Sequence, residues 1–153
     1  MNNPHHPILL VEDNPMDADL TKRSFVRRNL ANPVEVAWDG EEALSYIQRW
    51  ENGEPRPVAI LMDVNLPKVN GIEVLREFQS HTMCKTIPVI FLISSDEDKE
   101  MLDLPRLGVT SYIVKPVNFE KFVAAITQVG LRWSALDATV IDADPGKPIE
   151  IFS

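Results

Sequence analysis

One cysteine, Cys84, stands in the 153 residues, so no internal disulfide can staple the fold. Apolar runs are short as well. None approaches the ~20 residues of a membrane-spanning helix, and the first residues carry no apolar stretch of signal-peptide length. These absences point to the cytoplasm, with no membrane association. Positive charge is scarce: 15 Lys and Arg stand against 23 Asp and Glu, a formal net charge of -8. Nucleic-acid binding through phosphate neutralisation needs clustered Lys and Arg, so DNA and RNA are not expected partners. His5 and His6 form the only histidine pair, and two adjacent imidazoles near a terminus fall short of the ligand set of a metal site. No internal repeat is present.

What the chain does have is a composition that is 44% hydrophobic and 25% charged, enough for one soluble domain of ordinary size with a real core. Four continuous apolar runs, Ile8 to Val11, Val58 to Met62, Val89 to Ile93 and Tyr112 to Val114, have the length of strands buried on both faces of a parallel sheet. A fifth segment, Val34 to Trp38, alternates and predicts a strand nearer an edge. Between them lie helical spacings: Met16 to Leu30, less regular; Ala43, Leu44, Ile47 and Trp50; Ile72, Leu75 and Phe78; and Phe119, Phe122, Val123 and Ile126. Strand and helix alternate, which predicts an α/β doubly wound five-stranded parallel sheet with helices on both faces. Pro105 interrupts the helical segment from Asp98 to Leu107, so that helix is expected to be short, shifted or kinked. The reading is one domain over 1–133 and a C-terminal tail over 134–153, either mobile or an interaction strand.

Ligands of open parallel sheets sit beyond the carboxyl ends of the strands. Glu12 and Asp13 follow the first run, Asp63 the third strand, and Lys115-Pro116 the fifth. Three converging carboxylates repel one another unless a cation neutralises them. Mg2+ suits such a site, because it takes oxygen ligands and commonly binds one or two carboxylates plus a phosphate. Asp63 can then attack phosphorus in line while the ion and the Lys115 ammonium offset charge on the phosphoryl oxygens. Each charge alone could merely end a strand at a wet surface; their joint placement at three strand ends favours the phosphoryl site.

The segments Ile8-Leu9-Leu10-Val11-Glu12-Asp13-Asn14, Asp63-Val64-Asn65-Leu66-Pro67-Lys68-Val69-Asn70-Gly71 and Tyr112-Ile113-Val114-Lys115-Pro116 resemble the motifs of two-component response-regulator receiver domains, a flavodoxin-like fold, over about residues 8 to 130. Val11-Glu12-Asp13-Asn14-Pro15 and Asp63-Val64-Asn65-Leu66-Pro67-Lys68 are most similar to single-domain regulators that pair with bacterial phytochrome-type histidine kinases. The resemblance implies a phosphorelay function, with Asp63 as phosphoacceptor and Glu12 and Asp13 as the acidic pair. It also implies Asn65 as a metal ligand through its carbonyl, Lys115 as phosphate partner, and Pro116 after a cis peptide. Gly71 would permit close approach before the third helix, and Tyr112 matches the aromatic switch position, although a strand aromatic needs no such role.

One position departs from that pattern. Receivers place Thr or Ser at the end of the fourth strand, where the hydroxyl bonds a phosphoryl oxygen; here Ile93 stands, and the adjacent Ser94 is expected to point elsewhere, since strand side chains alternate, unless the strand has already ended. The expectation is that Asp63 still accepts phosphate while the coupling to Tyr112 is weak or rerouted. The expected partners are a sensor histidine kinase or phosphotransfer protein and an unidentified downstream protein. The resemblance also allows a homodimer, through the face of the fourth helix, fifth strand and fifth helix, where Met101, Leu104 and Leu107 offer apolar material. The alternative is a phosphorylation-independent binding module of receiver shape. An enzyme is not expected, because Asn65 stands where haloacid-dehalogenase-type phosphatases carry their second acid.

Overall fold

The computed structural model describes residues 6–94, 106, 111–128, 132–133 and 151–152. Chain order runs β1 (Ile8–Val11), α1 (Pro15–Arg27), β2 (Val34–Ala37), α2 (Gly40–Glu51), β3 (Ala59–Asp63), α3 (Gly71–Ser80), β4 (Val89–Ile93), β5 (Ser111–Val114), α4 (Phe119–Gln128), β6 (Arg132–Trp133) and β7 (Ile151–Phe152). Five strands form one parallel sheet in the order β2-β1-β3-β4-β5. The doubly wound reading holds, with the alternating segment at the edge and the continuous apolar runs inside.

Side-chain alternation divides the core into two halves. Ile8, Leu10, Leu61, Ile90 and Leu92 face α1 and α4, where Phe25 packs against Phe119 and Phe122. Leu9, Val11, Ile60, Met62 and Phe91 face α2 and α3, against Ile47, Trp50, Leu75 and Phe78. Because both faces of β1, β3 and β4 are covered, every residue of these strands is buried, which is why they read as unbroken apolar runs.

Several boundaries differ from expectation for local reasons. Trp38 lies outside β2, since its N–H donates to the Glu42 carboxylate at 3.1 Å. The first helix ends at Arg27 rather than near Leu30; Asn29 adopts a left-handed φ of 56° and closes the turn. The third strand starts at Ala59 and takes in Asp63 itself. At the far end of α2 the chain reverses through Gly53, whose φ of 98° suits a residue without Cβ.

Helix starts are capped by short polar side chains. Asn14 accepts from the N–H groups of Met16 and Asp17, Asp39 from Glu42, and Asn70 from Glu73. Asp98 to Leu107, with the Pro105 break and the apolar Met101, Leu104 and Leu107, lies outside the described residues except Arg106. Beyond Trp133 only Ile151–Phe152 is described, and it pairs antiparallel with β6. That part of the expected tail is a strand returning on its own chain. Among the described residues no helix is long and apolar enough to cross a membrane.

Candidate functional site

The strand order reverses its direction of growth between β1 and β3, so these neighbours open a crevice at their carboxyl ends. Val11 pairs with Met62, which places Glu12 beside Asp63. Oxygens of Glu12, Asp13 and Asp63 all lie within 4.8 Å of one another. Asp13 is exposed, whereas Glu12 and Asp63 are buried. A hard divalent cation fits this set of carboxylate donors beside an open, solvent-facing side.

Lys115 reaches into the same crevice from β5. Its Nζ lies 2.7 Å from Glu12 Oε1, 2.5 Å from Asp63 Oδ2 and 3.4 Å from Asp17 Oδ2. The Lys115 N–H donates to the Ile93 carbonyl at 2.9 Å, and the Lys115-Pro116 peptide is cis, as expected. The hydrogen bond to Ile93 anchors the backbone from which the side chain turns toward Asp63. Burial acts to lower the Lys115 pKa, but the hydrogen bonds that the ammonium donates to Asp63 and Glu12 outweigh it and hold it well above the ordinary lysine range. Burial pushes the Glu12 carboxyl up to about 7; its hydrogen bond to Lys115 opposes the shift and the nearby Asp63 charge adds to it.

The loop from β3 to α3 is held close by contacts that leave no room for side chains. Asp63 Oδ1 accepts the Asn65 N–H at 2.9 Å, so Asn65 is brought to the site through its backbone. A Cβ on Gly71 would fall 2.6 Å from the Asp63 carbonyl oxygen, and one on Gly40 would fall 2.0 Å from the Val69 carbonyl oxygen. The Gly71 N–H donates to Val64 O at 3.0 Å. Lys68 holds a left-handed φ of 68° and bridges to Asp39 and Glu41 at 3.4 and 3.3 Å, tying the loop to the start of α2.

Of the residues expected from the sequence, Glu12, Asp13, Asp63, Asn65 and Lys115 converge. Ile93 ends β4, is 2% exposed and pairs with Val114. Ser94 lies beyond the strand and is exposed. Tyr112 is half-buried in β5, opposite Phe91, and packs against the α2–α3 half of the core. Asp17 was not among the expected site residues. Its signal in the sequence is an acid three residues after a capping Asn, which fixes it on the first turn of a helix but not over Lys115.

Two relatives and three solved structures bear on this arrangement. The probable methanogenesis regulatory protein FilR2 of Methanothrix harundinacea is 35% identical, with 82% of each chain covered. The response regulator Rcp1 of Synechocystis sp. is 32% identical over 86% of this chain and 91% of that one. The bacteriophytochrome response regulator RtBRR is 44% identical, with a TM-score of 0.77 over 87% of this chain and 82% of that chain. A phosphorylated cyanobacterial phytochrome response regulator, RcpA, is 33% identical, with a TM-score of 0.67 over 82% and 95%. The Mn(2+)-bound form of Rcp1 is 33% identical, with a TM-score of 0.64 over 78% and 88%. Residues 8–127 match the family described as the response regulator receiver domain. The chain is thus a member of the response-regulator receiver-domain family.

Proposed function

We propose that this chain is a phosphorylation switch in which Asp63 takes a phosphoryl group from a histidine kinase or phosphotransfer protein and passes the signal to a downstream protein. The observation that carries this reading is the Lys115 ammonium 2.5 Å from Asp63 Oδ2, beside the cluster of Glu12, Asp13 and Asp63. Family membership and the likeness to phosphorylated RcpA support it.

Glu12, Asp13 and Asp63, with the Asn65 carbonyl, would hold Mg2+; a neighbour that binds Mn(2+), Rcp1, supports a divalent ion here. When bound, the ion supplies charge neutralisation for the phosphoryl oxygens. In the transfer, a carboxylate oxygen of Asp63 forms the new bond to phosphorus. The bond to the donor's imidazole nitrogen breaks, and the electron pair leaves on that nitrogen. Lys115 then exchanges its bond to the Asp63 carboxylate for one to a phosphoryl oxygen. Asn65 donates its N–H to Asp63 and brings no second acid or base, in keeping with a switch rather than a turnover enzyme. Such a switch works in the cytoplasm, where kinase and target are reached by diffusion, and a second copy of the chain is a candidate partner.

Incubation with Mg2+ and acetyl phosphate, followed by intact-mass measurement, tests the reading. The unsubstituted chain gains one phosphoryl group and Asp63→Asn gains none. No gain in the folded, Mg2+-bound chain would replace the switch with a phosphorylation-independent binding module.

A further inference from the structure

Three carboxylates, not two, meet the Lys115 ammonium, and the third belongs to a different part of the fold. Glu12 and Asp63 extend from strands and are almost wholly buried, whereas the Asp17 side chain is 41% exposed and approaches from the first turn of α1. Its backbone is fixed twice: the Asp17 N–H donates to the Asn14 side chain at 3.2 Å, and the Thr21 hydroxyl donates to the Asp17 carbonyl at 2.9 Å. The carboxylate is thus brought to Lys115 by helix capping and is the most solvent-accessible of the three acids around the ammonium.

We infer that Asp17 is a positioning residue that holds Lys115 between transfers and, by its charge at the mouth of the crevice, makes the site discriminate against the more highly charged phosphodonors. The inference rests on the switch reading. When Asp63 becomes an acyl phosphate, its pair with Lys115 is lost and a phosphoryl oxygen takes its place. Asp17 is untouched by that chemistry and keeps its hold on the ammonium through the exchange. The same negative charge repels an anionic donor in proportion to the donor's own charge.

Phosphorylation kinetics with acetyl phosphate, a dianion at neutral pH, and phosphoramidate, which carries a single net negative charge, separate this role from a structural one. For Asp17→Asn the half-saturation concentration should fall about fivefold for acetyl phosphate and about twofold for phosphoramidate, as expected for unit charges roughly 8 Å apart in water-like surroundings. Maximal rates should change little, added salt should shrink both gains, and Asp17→Glu should restore the parent values. Independently of transfer, the nitrogen-15 NMR signal of Lys115 Nζ should move in Asp17→Asn. An acid that served only the helix dipole would alter both donors alike. Equal changes, or none, in a chain that does take the phosphoryl group would overturn this inference alone. Failure of the parent chain to be phosphorylated by either donor would overturn the proposed function and this inference with it.

Discussion

Replacing Glu12 by Gln should make the metal-free protein more stable and should blunt its stabilisation by Mg2+. The Glu12 carboxyl is 2% exposed, and its pKa is pushed from 4.5 to about 7, first by burial and then by the Asp63 charge, against the pull of Lys115. A raised acid pKa means that the folded state holds the proton more tightly than the unfolded state. The Glu12 contribution to stability is therefore fully retained below pH 4.5, declines as pH rises toward 7, and is flat above that. At 1.36 kcal/mol per pKa unit the decline amounts to about 3 kcal/mol. Gln keeps an oxygen for the Lys115 ammonium and has no charge to desolvate. In urea unfolding with EDTA, Glu12→Gln should therefore exceed the parent by up to about 3 kcal/mol at pH 8 and match it near pH 4.5. Mg2+ at a hundred times its dissociation constant should add about 2.7 kcal/mol to the parent, and the variant should gain much less. A variant no more stable than the parent at pH 8 without metal would refute the idea that burial of an ionised Glu12 is costly. An undiminished response to Mg2+ would remove Glu12 from the cation site.

Four further outcomes are expected. Gly40→Ala places a methyl group 2.0 Å from the Val69 carbonyl oxygen; it should cost about 1–3 kcal/mol by overpacking and weaken Mg2+ binding, both measurable by unfolding with and without the ion. In a beryllofluoride-bound crystal structure Tyr112 should keep its half-buried place, because Ile93 offers no hydroxyl. Ile93→Thr should supply a hydrogen bond of about 1.5–3 kcal/mol to the charged group and lengthen the life of the phosphorylated form, and a full inward swing of Tyr112 in the parent would contradict this. Asn14→Ala, which strips the cap from α1, should cost about 1 kcal/mol in urea unfolding and, by loosening Asp17, should move donor half-saturation in the direction of Asp17→Asn.

The buried parallel strands and the meeting of Asp63 with Lys115 were legible because burial on both faces writes itself into a sequence as unbroken apolar runs, and a charge that ends such a run marks the rim of the sheet. The cis Lys115-Pro116 bond was legible through the family motif. Asp17 was not, since its part depends on how the first turn of α1 comes to face Lys115 from the end of a distant strand, which no local period encodes. The steric need for Gly40 was equally hidden: the atom that would block a side chain there belongs to Val69, in a loop that follows another strand. Pairing of Arg132–Trp133 with Ile151–Phe152 left no trace either, as two-residue strands are too short to show alternation.

The turn at Gly53 has a practical consequence for engineering. A Cβ there would meet nothing within 4 Å, and residues 51 to 56 are all exposed. The turn joins the end of α2 to the start of β3, at the pole remote from Asp63. A fluorescent protein or affinity handle spliced between Asn52 and Gly53 would leave the carboxyl rim sterically clear. The loop from Val64 to Asn70, wedged against Gly40 at one point and abutting Gly71, offers no comparable seam. Insertions should therefore be sorted by pole, accepted at the amino ends of the strands and rejected at the carboxyl ends.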